Sequence, residues 1–296
     1  MSHDETAYGA ISEETGGEAR WAFGTGFDDP LTGVDTTVPA GVGGADLAAY
    51  CLMLGDDALV MSHRLQEWTT RLPELEDEVA VANIALDLLG QARLLLARAG
   101  HADGSGRTED DLALRRDEHE FRNVRLVELP NGDFAHTVAR LLLFATWRLA
   151  LLARLADSAD PVLAAIAAKG VKEVTYHRDY AARWVLRLGD GTDVSRERML
   201  AGLDAVWPYL DELFEPHELE LRMAAAGVGT DPAAVRGECD DVLGEVLRAA
   251  TLERPAVPAR AGVAGRLGRH GVHTEAMGYL LAELQSVARA HPEAVW

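Results

Sequence analysis

The feature that most limits how this chain can fold is its punctuation. Helix starts and stops recur throughout residues 46–296, and nowhere does a run alternate with the two-residue period of a strand for more than a few residues. The pattern predicts a first helix over 46–70. A second opens at Pro73-Glu74 and stops at Gly100, and a shorter one covers 109–120. After the turn Glu128-Leu129-Pro130-Asn131-Gly132, Asp133 can cap a third long helix to about 156, and Asp160-Pro161 opens a fourth that ends at Gly189. Further helices are expected over 193–214, after Pro216, over 231–252 and over 273–290. Leu and Ala dominate the 48% of hydrophobic residues, which favours helix over strand.

Four of these helices are long, and the excursion between the second and third resembles the crossover of ferritin-like folds. The expected fold is therefore all-α: an antiparallel four-helix bundle with additional C-terminal helices, forming one domain over residues 46–296. Residues 1–45 hold nine of the 28 glycines and eight acids against the single Arg20, and read as a disordered or loosely docked extension that Trp21, Phe23 and Phe27 could pin onto a surface. A formal charge of −20 argues against a nucleic-acid partner. Two distant cysteines, Cys51 and Cys239, fit reduced thiols, the acidic start reads as no signal peptide, and Arg148 and Arg154 break the longest apolar stretch. The expected place is the cytoplasm, without a membrane.

The chemistry turns on a spacing. A di-iron carboxylate helix carries Glu-x-x-His, whose two side chains share a face and converge on one metal pair. In Glu173-Val174-Thr175-Tyr176-His177 the two are four apart, and no Glu-x-x-His occurs in the chain. The second helix is apolar nearly all round, so it is expected at the bundle centre, with Asn83, Asp87 and Gln91 as a polar stripe. Two readings stand side by side: a hydrogen-bonded polar core also including Lys172, Glu173 and His177, in which Lys172 or His177 pairs with Asp87, or a metal or catalytic site; Lys172 and Glu173 read equally well as part of a solvated face. Asp56, His63 and Glu67 form a second, rudimentary ligand stripe, and Asp133-x-x-His136 is better explained by capping. Glycines 262, 265, 268 and 271, set among Arg260, Arg266 and Arg269, offer a basic loop for a phosphate such as that of a CoA ester.

Several blocks together carry a family resemblance. They include Leu54-Gly55-Asp56-Asp57, Leu65-Gln66-Glu67-Trp68, the run from Ala82 to Arg93, Arg116-Asp117-Glu118, the run from Val127 to Ala135, Lys172 to His177, Leu188 to Ser195, and Gly271 to Glu275. In this order and spacing, over residues 46–296, the chain resembles the C subunits of bacterial ring-1,2-phenylacetyl-CoA epoxidases, the phenylacetyl-CoA oxygenases of phenylacetate catabolism. The resemblance implies a ferritin-like, non-catalytic subunit of a hetero-oligomeric oxygenase complex. In such a complex a related A subunit holds the di-iron centre and epoxidises the ring with O₂, and a reductase passes electrons from NADPH. It also places the ligand positions of the catalytic relative at Ala58, Leu88, Gln91, Ala145, Val174 and His177, of which only His177 can bind iron. The expectation is a structural partner of the A subunit with no catalytic residue, metal or cofactor of its own; Trp147, Trp184 and Trp207 are candidate anchors for that partner, with core packing the favoured role for any one of them. Two rivals remain: an independent metal-dependent oxidase using Asp56, His63, Asp87 and Glu173, and a CoA-binding accessory module.

Overall fold

The computed structural model describes residues 31, 33–72 and 74–294. Among them lie nine α-helices and no strand, only an isolated bridge between Val263 and Arg266. The four long helices are α1 (Gly44–Gln66), α2 (Leu75–Ala102), α4 (Phe134–Leu155) and α5 (Pro161–Gly189). The short α3 (Glu109–Leu114) lies in the connection between α2 and α4. After the bundle come α6 (Asp193–Val206), α7 (Glu218–Ala225), α8 (Arg236–Ala249) and α9 (Glu275–Ala290).

Contacts along the helices fix the topology. Ser62 Oγ donates to Ala85 O at 2.6 Å while Gly44 abuts Ala102, so α1 and α2 run antiparallel. Phe134 stacks edge-on against Trp184 at 4.8 Å and Gly170 meets Leu152, so α4 and α5 do the same. Side-chain bonds from α2 to α5 and from α4 to α1 close the ring, each helix antiparallel to both neighbours, as in a ferritin-like bundle. Residues 103–133 carry the chain from one end of the bundle to the other.

Helix ends follow local chemistry. Asp133 Oδ1 accepts from His136 N at 3.0 Å, which explains the Asp-x-x-His spacing as a cap. Asp160 Oδ1 accepts from Leu163 N at 2.8 Å with Pro161 at the first helical position. The helix expected over 109–120 stops at Leu114, because Arg116 turns inward to Asp56 and Asp117 caps a separate 3₁₀ turn. The helix expected over 193–214 stops at Val206 and continues as two 3₁₀ turns, since Pro208 has no N–H for the helical ladder. Gly202 sets how closely α6 approaches α4: a Cβ there would lie 2.9 Å from His136 Cα.

Most of the expected extension, residues 1–30 and 32, falls outside the described residues. Of the remainder, Val34, Val38 and Val42 pack on the core, and Arg98 donates to Thr36 O at 2.5 Å.

Candidate functional site

The six positions that the resemblance assigns to a di-iron ligand set are all buried in the bundle interior. Ala58, Leu88, Ala145 and Val174 are completely buried, and Gln91 and His177 nearly so. Four of the six side chains are apolar. The remaining two, an amide and an imidazole, are already engaged within the chain. Such a donor set does not fit a di-iron pair, for which bundles of this kind supply four carboxylates and two histidines.

A polar chain occupies the seam between α2, α4 and α5. His177 Nε2 lies 3.0 Å from Asp87 Oδ2, so of the two expected partners it is the histidine that meets Asp87. One turn along, Gln91 Nε2 donates to Glu173 Oε2 at 2.8 Å, and Glu173 pairs with Lys169. Arg148 of α4 completes the arrangement: its Nε donates to Gln91 Oε1 at 2.9 Å and its Nη1 to Leu54 O at 3.2 Å. Its Nη2 has no hydrogen-bond partner among the described residues. Burial pulls the Arg148 guanidinium down to about 10, still cationic at neutral pH.

Two expected members of this polar core are not in it. Asn83 is exposed on the outside of α2 and Lys172 is exposed on α5. A four-residue step advances about 40° beyond a full turn, so Asn83 sits about 80° around the helix from Gln91. Lys172 precedes Glu173 by one residue and points about 100° away from it. Nor is α2 buried all round: Leu75, Val79 and Leu86 face outward.

The acids of α1 serve ion pairs. Asp56 is paired with Arg116 and accepts from Arg122 N at 2.9 Å. Asp57 is paired with Arg269 through both oxygens, at 3.0 and 2.9 Å, and accepts from Val124 N. Burial pushes the Asp57 carboxyl up, opposed by the Arg269 charge. The four residues of the independent-oxidase reading are thereby divided: Asp56 belongs to Arg116, Asp87 to His177, Glu173 to Lys169 and Gln91. His63 instead shares a surface cluster with Glu67 and Glu283, their ligand atoms within 4.8 Å of one another. Arg64 reaches both oxygens of Glu67 there, at 2.8 and 3.1 Å, and already supplies the positive charge.

The basic loop also differs from its expectation. Arg260 and Arg266 are exposed, but Arg269 is buried, held by Asp57 and 3.4 Å from Glu220, so it is not free to meet a phosphate. Gly268 lets the loop dock: a Cβ there would lie 2.1 Å from Asn123 O. Trp147 and Trp207 are core residues, and Trp184 is tied by its Nε1 to Asp77 at 3.0 Å, so none of the three stands out as a surface anchor.

Comparison with known proteins gives this interior its context. The family described as phenylacetic acid catabolic protein matches residues 35–296. The chain belongs to this family. The C subunit of the 1,2-phenylacetyl-CoA epoxidase of Escherichia coli (strain K12) is 44% identical over 251 residues, which is 84% of this chain and 99% of that protein. The family match begins at residue 35, within the described stretch that packs on the core. What sequence reasoning missed in this phenylacetic acid catabolic protein is its set of buried arginines, above all Arg140 and Arg148 of α4. The available signal was Arg140 and Arg148 within the long apolar body of α4, each of which needs a buried partner.

Proposed function

We propose that this chain is the structural, non-catalytic component of a phenylacetyl-CoA 1,2-epoxidase, pairing with and stabilising a related catalytic A subunit in aerobic phenylacetate breakdown in the cytoplasm. The observation that carries the reading is the 44% identity to the C subunit of an epoxidase over nearly that protein's whole length. The interior agrees in kind: where a catalytic relative needs carboxylates, this bundle has alanine, leucine and valine, with a guanidinium set among them. In this reading the di-iron centre, the oxygen chemistry and the NADPH-derived electrons belong to partner subunits. This chain's residues do mechanical work, holding four helices at a fixed spacing so that an outer face keeps its shape for the partner.

Co-expression with the catalytic subunit, followed by size-exclusion chromatography and metal analysis of each chain, tests it. The expected result is a stable complex whose iron stays with the catalytic chain. Near-stoichiometric iron on this chain alone, or failure of the two to co-elute, overturns the reading.

A further inference from the structure

In this chain α2 has more apolar surface than the bundle uses. It is the one described helix that is long and apolar enough to cross a membrane by length and composition, yet only 44% of its most apolar window is buried. Leu75, Val79 and Leu86 remain 70%, 53% and 47% exposed, and Tyr176 on the adjoining α5 is 51% exposed. The strip through Val79, Ala82, Asn83, Leu86 and Gly90 bears no charged side chain. Of the charges beside it, Asp87 is bound by His177 and Arg93 by Glu109, while Glu74, Glu76 and Glu78 at the start of α2 and Lys172 next to Tyr176 form a charged rim around the apolar strip. Other exposed apolar residues are scattered singly over several elements or, like Tyr279 and Val287, interrupted by acids such as Glu283.

Gly90 is a second observation on the same face. A glycine inside a helix costs about 1 kcal/mol relative to alanine. Close packing within the chain would justify it, but a Cβ at Gly90 would meet nothing within 4 Å. A helix from another molecule, approaching α2 closely, gives the missing side chain a purpose.

We propose that the outer face of α2, extended by Tyr176, is where this chain binds the catalytic subunit, a related helical bundle presenting an apolar helix of its own; the inference rests on the functional reading above. The size agrees. From Leu75 to Ala97 the helix runs about 33 Å, and two helices side by side are about 20 Å wide, giving ~650 Å² against the ~800 Å² per partner of a standard interface. A second copy of this chain is the poorer occupant, because it sets −20 against −20.

The test compares Val79→Glu/Leu86→Glu with a control pair on other faces, Val194→Glu/Tyr279→Glu, in sedimentation titrations of the full chain against the catalytic subunit. All four positions are exposed, and circular dichroism melts verify that each variant is folded. The α2 pair is expected to weaken association at least about 30-fold, the control pair less than about threefold. Wild type binding tightly while the α2 pair binds within threefold of it overturns this face and leaves the functional reading standing. A wild-type homodimer dissolved by the α2 pair assigns the face to a second copy and also overturns the proposal. Absence of any wild-type complex with the catalytic subunit overturns both.

Discussion

Arg148 of α4 donates through Nε to Gln91 Oε1 of α2 at 2.9 Å, and both side chains are buried. The bond places a positive charge in the bundle interior, beside Gln91, one of the positions that the resemblance assigns to a ligand set. Gln91 passes the link on to Glu173, and Lys169 terminates it at the surface. The seam is thus held by hydrogen bonds among this chain's own side chains.

Arg148→Ala is expected to lower the unfolding free energy by about 3 kcal/mol, since it opens a cavity and leaves Gln91 Oε1 without its donor. Gln91→Leu with Arg148→Met, which removes both polar partners and fills the space, is expected to recover at least half of that loss. Urea titrations followed by circular dichroism measure both. A cost below about 1 kcal/mol for Arg148→Ala contradicts the role given to this side chain.

Asp57→Ala leaves Arg269 in the interior with Glu220 and, farther off and bound to Arg125, Glu212 near its charge. The expected loss is about 3–5 kcal/mol, the scale for breaking a buried pair from one side. Replacing both partners together, as Asp57→Leu with Arg269→Met, is expected to cost less than the single change. Chemical denaturation of the three variants checks the order.

His273 carries a pH dependence. Its Nδ1 lies 2.7 Å from Glu128 Oε1, and that hydrogen bond and charge outweigh the opposing burial to raise the ring above its ordinary 6.5. Below the unfolded value the ring is protonated in both states, and the pair contributes its full stability. As pH rises through the raised folded value the contribution is lost. The difference in stability between wild type and His273→Gln is therefore expected to be larger at about pH 6 than at about pH 8.5, measured by urea unfolding at each pH. An unchanged difference excludes the pairing as the cause.

Gly90→Ala and Gly202→Ala should move stability in opposite directions. At Gly90 the new methyl meets nothing, so the isolated chain is expected to gain about 1 kcal/mol from helix propensity. At Gly202 the methyl would strike His136 backbone atoms at 2.9 Å and force α6 from α4, with an expected loss of about 1–3 kcal/mol. Thermal melts of the isolated chain read both signs.

The long helices were legible because their starts are local: Asp133, and Asp160 with Pro161, act on their own backbone neighbours. The side-chain partners were not, because they depend on which helices come together. Nothing near Arg116 in sequence points to Asp56, sixty residues earlier, and Arg148 reads as an interruption until Gln91 is beside it. Asn83 was misplaced for a geometric reason, since a row of four-residue steps winds out of the interior as it lengthens. Any meaning of the Leu88 and Val174 positions came from the family resemblance alone, because a buried leucine or valine on a helix carries no trace of a metal ligand.

The Asp57–Arg269 pair joins residues 212 positions apart. At about 5–20 residues per second of synthesis, ~10–40 s pass between the emergence of the two. From the emergence of residue 189 onward all four long helices are present, yet the carboxylate on α1 is still unmatched. Completion of this fold therefore waits on the last quarter of the chain: a polypeptide that ends before Arg269 carries every long helix of the bundle and still lacks the cation that its first helix needs.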